Sequence, residues 1–142
     1  MRHTIRRLRR SGQGRHNESG AVAAELVVAT PLLLLLILAV VQFALWQHAS
    51  HVADAIAQQG LAATRVEGGT PTAGRAEANL VYGQLGRGLL VDPTITASDT
   101  ATTAQVVVTG HTTSVVPFLR LPVRAVAAGP RERFVPDSAG GP

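Results

Sequence analysis

Cysteine and lysine are absent from this 142-residue sequence, and aromatic residues make up only 4% of it. Without cysteine the chain has no disulfide framework, no thiolate metal site and no thiol nucleophile. Because large aromatic side chains are scarce, a core built outside a membrane must be thin and assembled from small apolar residues. A chain of this length holds at most one ordinary domain.

Positive charge is concentrated at the N-terminus. The net charge is +4, and residues 1–20 hold six arginines against one acid, so the rest of the chain is slightly acidic. A basic composition alone would suggest nucleic acid or anionic lipid as a partner. Here the arginines instead precede the most apolar segment of the sequence.

That segment, residues 26–46, contains no charged residue, and Gln42 is its only strongly polar member. As a helix rising about 1.5 Å per residue it extends about 31 Å, which matches a hydrocarbon thickness of about 30 Å. Positive residues beside a membrane helix remain on the cytoplasmic side. The sequence therefore predicts a single-pass membrane protein with a cytoplasmic N-terminus and an extracytoplasmic C-terminus.

Apolar residues continue past this segment at the spacing of one helical face, and they are Ala49, Val52, Ala53, Ile56, Ala57 and Leu61. The helix is expected to end near Glu67, because Gly68, Gly69 and Pro71 follow. A second, shorter helix is predicted over residues 72–90.

Threonine and valine dominate the next part of the chain and favour strands, which we place at residues 94–97, 104–113 and 121–128. Pro117 and Pro122 confine the last strand to a sheet edge or delay its start. The predicted fold class is α+β: a long transmembrane helix extending outward, then a second helix and an antiparallel sheet of about three strands, as in pilins.

Four regions follow from these predictions. They are an Arg-rich cytoplasmic leader (1–20), the transmembrane and extended helix (21–67), a small α+β extracytoplasmic domain (68–128) and a disordered tail (129–142).

Gly20 and Glu25 are the residues that point to a function. A membrane-embedded peptidase needs an extended, slim backbone at the bond it cuts, and glycine supplies both properties. Glu25 is the one acid at the start of the membrane helix, where an ionised carboxylate is costly without a partner. If the chain is cut after Gly20, the new α-amine of Ala21 is largely cationic at neutral pH and could neutralise Glu25 of an adjacent subunit.

The sequence around these residues resembles the N-terminal pattern of TadE-like minor pseudopilins, from the tight-adherence (Flp) branch of type IV pilus assembly. The shared features are an Arg-rich leader, Gly20, an Ala-rich stretch, Glu25, and Pro31 before a run of leucines. The resemblance covers residues 9–65, and the remainder is compatible in outline. Two positions differ, since Ala21 and Leu26 stand where many of these subunits have an aromatic residue.

The resemblance implies a structural subunit rather than an enzyme, without a cofactor. Gly20 would precede the bond cut by a prepilin peptidase, Ala21 would become the mature N-terminus, and Glu25 would register neighbouring subunits. The implied partners are the membrane, the peptidase, other pilin or pseudopilin subunits, and an inner-membrane assembly platform with its ATPase. Pro31 lacks an N–H and crowds the Val27 carbonyl, so it is expected to kink the helix.

Other interpretations of the N-terminal segment stay open. An uncleaved anchor could carry an extracytoplasmic binding module, with Glu25 held at the cytoplasmic headgroups. A secretory signal could be cut near residues 53–55. The apolar region of such signals runs only about 7 to 15 residues, which is shorter than the apolar run at residues 26–46. Arg6 and Arg7 suggest a twin-arginine signal, which so apolar a segment argues against.

Patterns for other kinds of site are weak. His48, His51 and Asp54 spread over about 120° of a helix, so one metal ion would need further ligands. Ser50 lacks a recognisable base and orienting group, and the glycines at 83, 86 and 88 lack the lysine of a phosphate loop. We expect no metal site, and a nucleic-acid role for the N-terminal arginines is a remote third hypothesis.

Overall fold

The computed structural model describes residues 13–132 and comprises two compact units, Met1–Ala39 and Val40–Pro142. In chain order, its elements are α1 (Gln13–Arg65), α2 (Pro71–Val81), a π-helical turn (Tyr82–Gly86), β1 (Leu90–Asp99), β2 (Thr103–Thr112) and β3 (Pro122–Pro130). The three strands form one antiparallel sheet in the order β1-β2-β3. The predicted α+β class, with a long apolar helix, a second helix and a three-stranded sheet, is confirmed.

Within the first unit, helix α1 exposes apolar side chains along its length. The large apolar residues between Val22 and Ile37 are 50–74% exposed. Such a surface is unfavourable in water and favourable in lipid or against other apolar helices. Among the described residues, α1 alone is long and apolar enough to cross a membrane. By its length and composition, α1 is suited to anchor the chain in a membrane as a single pass.

Within the second unit, α1 buries the face that the sequence predicts. All six of the residues from Ala49 to Leu61 that share this spacing are buried. They belong to one apolar core with Val106 and Val108 of β2 and with inward-facing residues of β3. Because many of these side chains are alanine or valine, the core is thin, as the composition requires.

Helix α1 ends at Arg65, two residues before the predicted end, and a tight turn reverses the chain. Gly68 adopts a positive φ of 75°, which glycine tolerates without steric cost. Thr70 then caps α2, because its hydroxyl accepts a hydrogen bond from the Ala73 N–H at 3.1 Å. Pro71 lies in the first turn of α2, where its missing N–H has no consequence.

The two helices approach closely at glycines. A Cβ added to Gly74 would lie 1.8 Å from the Thr64 hydroxyl oxygen and 2.7 Å from the Gly60 carbonyl oxygen. Thr64 is itself fully buried and donates its hydroxyl to Gly60 O at 2.8 Å. A side chain at position 74 therefore has no space unless the helices separate.

We expect Gly74→Ala to lower the free energy of unfolding of the second unit by about 2 to 3 kcal/mol, the cost of overpacking a tight contact. Urea unfolding of the full chain in detergent, followed by the fluorescence of its only tryptophan, Trp46, measures this change. Thr64→Ala in the same chain removes the hydroxyl that clashes and should restore part of the loss.

Gly83→Ala is the matched control, because a Cβ at Gly83 meets nothing within 4 Å. Its urea midpoint should stay at or slightly above that of the unmodified chain. Equal midpoints for the variants at positions 74 and 83 would contradict the close helix contact.

The sheet differs from prediction mainly at its ends. Helix α2 stops at Val81 instead of residue 90, and β1 begins at Leu90 instead of residue 94. A bulge between Val91 and Thr94, with Asp92 at a φ of 50°, accommodates the proline at 93 within β1. Strand β3 lies at the sheet edge and begins at Pro122, as its proline predicts.

The predicted tail begins later than residue 129. Strand β3 runs to Pro130, and the Arg131 guanidinium contacts the Asp99 carboxylate and donates to Gly69 O at 3.1 Å. The Glu132 N–H donates to Arg65 O at 2.8 Å. Residues 1–12 of the predicted leader and 133–142 of the predicted tail lie outside the described residues.

Candidate functional site

All four predicted site residues lie on the N-terminal part of α1, within the first unit. Gly20, Ala21, Glu25 and Pro31 are helical. On a regular helix Gly20 and Glu25 lie about 140° apart in bearing and about 7.5 Å apart along the axis. Ala21 and Glu25 are four residues, about one helical turn, apart. The acid therefore lies about one turn from the predicted new N-terminus.

Gly20 is exposed, and a Cβ built on it meets nothing within 4 Å. Its surroundings in the fold consequently do not require glycine. The backbone there is helical, whereas a peptidase acts on an extended chain. Cleavage after Gly20 would thus require local unwinding, which glycine favours because it is a poor helix former by about 1 kcal/mol relative to alanine.

Glu25 is exposed and lies beside apolar side chains that are also exposed. Its neighbours Leu26, Val27 and Val28 are 59–74% exposed. Among residues 20 and 22–132, whose side chains the structure describes, the ion pairs join Arg65 to Glu132 and Arg131 to Asp99, and neither involves Glu25. Its carboxylate is accessible to a group from outside these residues.

Helix α1 continues through Pro31 without a break in its helical assignment. Proline cannot donate to the carbonyl one turn earlier, that of Val27, so one backbone hydrogen bond of the membrane helix is missing. The predicted kink remains a prediction.

Two polar side chains of α1 bond the connection between β2 and β3. Gln42 contacts the β2–β3 loop, residues 113–121, and Trp46 contacts Pro122, the first residue of β3. Gln42 is 1% exposed. Its Oε1 accepts from the Val115 N–H at 2.8 Å and its Nε2 donates to Thr113 O at 3.3 Å. One turn later, the Trp46 indole N–H donates to Pro122 O at 2.9 Å.

Gln42 carried a signal in the sequence, because it is the only strongly polar residue of the apolar run. Buried amides need hydrogen-bond partners, and a lone one in a membrane segment indicates a contact with protein. The second unit begins at Val40, so residues 42–46 of the predicted span belong to the folded domain. That overlap places the β2–β3 loop at the level where the apolar run ends.

The weak metal pattern of the sequence consists of His48, His51 and Asp54, which are all exposed on α1. No group of three or more histidine, aspartate or glutamate side chains is arranged to hold a metal ion in the part of the chain whose side chains the structure describes, residues 20 and 22–132.

Residues 20–61 match the family model of TadE-like protein, which confirms the resemblance predicted from Gly20, Glu25 and the apolar run. The match begins at Gly20 and ends at Leu61, the last buried apolar residue of α1. No curated protein and no solved structure matches the chain.

Proposed function

Starting from the TadE-like segment at residues 20–61, we propose that this chain is a minor pseudopilin, a structural subunit of a tight-adherence (Flp) pilus or related secretion filament. The observation that carries the proposal is a helix that exposes large apolar side chains from Val22 to Ile37 and bears one exposed acid, Glu25, in this segment. The subunit acts by helix packing rather than by chemistry. Membrane anchoring and a Tad-pilus context follow from the helix and the family.

The N-terminal arginines support an orientation with the leader in the cytoplasm and the domain outside. In this orientation Gly20 and Glu25 lie at the cytoplasmic end of the membrane helix. A prepilin peptidase at that face of the membrane would cut after Gly20 and leave Ala21 as the first residue of the mature chain.

Cleavage would change the electrostatics of Glu25. Once Ala21 is the N-terminus, Glu25 lies close to the first turn of the helix, where the backbone dipole favours a negative charge. The new α-amine adds a positive charge nearby. In the assembled helix bundle, the amine of one subunit pairs with Glu25 of the next and sets the axial stagger between them.

A second function is an uncleaved membrane anchor that presents a binding domain. It is favoured by the continuous helix, which begins at Gln13 and passes through Gly20 without interruption. An anchor of this kind would function without cleavage, and its domain would contact a cell-wall or protein ligand.

The mature N-terminus distinguishes the two functions. We expect mass spectrometry of the full-length protein from its native membrane to give Ala21 as the first residue, and cells without prepilin peptidase activity to give a chain starting before Gly20. Recovery of the intact leader from cells with an active peptidase would exclude the pseudopilin and support the anchor.

A further inference from the structure

The β2–β3 loop exposes an apolar tip. Phe118 is fully exposed, Val115 is 41% exposed and Leu119 is 40% exposed. Arg120 follows them directly and is exposed too. In a domain with only five aromatic residues, a ring left entirely in solvent is an unusual use of apolar surface.

The backbone of this tip is held in a disfavoured conformation. Phe118 has a φ of 67°, in the left-handed region that bulky side chains rarely occupy. Such conformations persist only where the surrounding structure enforces them, and they concentrate at functional sites. On either side of the tip the chain is hydrogen-bonded to α1, at Val115 by Gln42 and at Pro122 by Trp46.

The hydrogen bonds of Gln42 and Trp46 also fix the position of the tip along α1. Gln42 bonds the loop at the end of the apolar run, and within the same unit the adjacent Val41 and Phe43 are exposed apolar residues of the helix. The membrane that surrounds this helix therefore ends close to the loop. Aromatic residues favour that interface, and arginine beside them can reach anionic headgroups.

We propose that the β2–β3 loop inserts Phe118 and Leu119 into the outer interface of the membrane, with Arg120 on anionic lipid headgroups. The loop is a second contact that sets the height of the domain on the bilayer. This inference rests on the membrane anchoring of α1 and not on cleavage or filament assembly.

The absence of cysteine makes the test direct, because any introduced cysteine can be labelled alone. The full chain is reconstituted into vesicles of phosphatidylglycerol and phosphatidylethanolamine, with an environment-sensitive fluorophore on Leu119→Cys. Lipids with a quencher near the headgroup should quench this label several-fold more strongly than a label on Thr102→Cys, which lies exposed in the turn between β1 and β2.

Two variants separate the lipid contact from the fold. Phe118→Asn should abolish the excess quenching while leaving unfolding in detergent unchanged or improved, because asparagine tolerates a positive φ. Arg120→Gln should reduce the preference of the loop for anionic over uncharged lipid by about fivefold, the factor expected for one arginine at such a surface.

The opposite outcomes are equally distinct. Quenching of position 119 by aqueous iodide to the same degree as position 102 would place the loop in water and overturn the proposal. Protection from both iodide and lipid quenchers would indicate that protein covers the tip, which also overturns it. A label on Leu34→Cys that escapes deep lipid quenchers would refute the membrane anchoring itself.

Discussion

Glu25→Ala should leave the chain in the membrane and remove it from filaments. Alanine makes the start of the helix more apolar, so insertion is kept or improved, since a carboxylate in mid-membrane costs about 2.5 to 3.5 kcal/mol on insertion scales. In the proposed pairing, the lost carboxylate would leave the Ala21 amine of a neighbouring subunit unpaired in an apolar bundle. Breaking a buried pair costs about 3 to 5 kcal/mol, which corresponds to at least a hundredfold loss of incorporation.

Immunoblots of membrane and sheared-filament fractions measure both parts of this expectation. Glu67→Ala is the matched control, because Glu67 is an exposed acid in the turn after α1 and its loss changes the net charge by the same amount. Glu25→Gln should behave like Glu25→Ala, since the amide keeps the shape of the side chain but not its charge. Filaments that contain normal amounts of the alanine variant would refute the pairing role.

The experiment also separates pairing between subunits from pairing within one chain. Ala21 and Glu25 are one helical turn apart, so the amine and the carboxylate of a single mature chain could neutralise each other. A wholly internal pair predicts that the variant still assembles, because no contact between subunits is lost. Mixed expression with the unmodified chain should instead show that the variant is excluded from filaments.

The long helix was predictable because its two patterns are strong and local. An uncharged run marks the membrane segment, and a regular spacing from Ala49 to Leu61 marks the buried face. Both patterns depend on side chains of one helix, so no knowledge of its neighbours is needed. The three strands were predictable for the same reason, from dense β-branched residues in residues 94–128.

The ends of these elements depend on tertiary contacts that local sequence patterns do not reveal. Leu90 and Val91 follow a glycine-rich stretch that the sequence predicts to be helical, yet they pair with Thr112 and His111 of β2. The pairing became possible because the Asp92 bulge accommodates the following proline. Tertiary pairing thus overrides a weak local preference.

The candidate site likewise has a part that the sequence predicts and a part that it does not. Gly20 and Glu25 stand out in the sequence because one is a glycine near a membrane segment and the other a lone acid at the start of that segment. The β2–β3 loop does not stand out, since its position depends on the distant pair Gln42 and Val115, 73 residues apart in the chain. A contact of that separation cannot be derived from the spacing of residues along one element.

Gly20→Ala should block processing without disturbing the fold. The added methyl group meets no atom within 4 Å, so membrane insertion and domain stability should be unchanged. Alanine stabilises the helix by about 1 kcal/mol relative to glycine, which opposes the unwinding that exposes the bond. It also adds bulk beside that bond. We expect cleavage to slow by at least about tenfold, the effect of 1.4 kcal/mol on a rate.

Pulse-labelling of the full chain in cells with active prepilin peptidase measures this rate as the conversion of precursor into the shorter mature form. Gly83→Ala is again the control, because it adds the same group to open space in the second unit and should be processed normally. Adding Ala23→Gly to Gly20→Ala restores a weak point in the helix but not the slim residue at the bond. Recovery of cleavage in that double variant would identify helix unwinding as the limiting step, whereas continued slow cleavage would identify side-chain bulk. Normal processing of Gly20→Ala itself would show that the peptidase does not select this glycine.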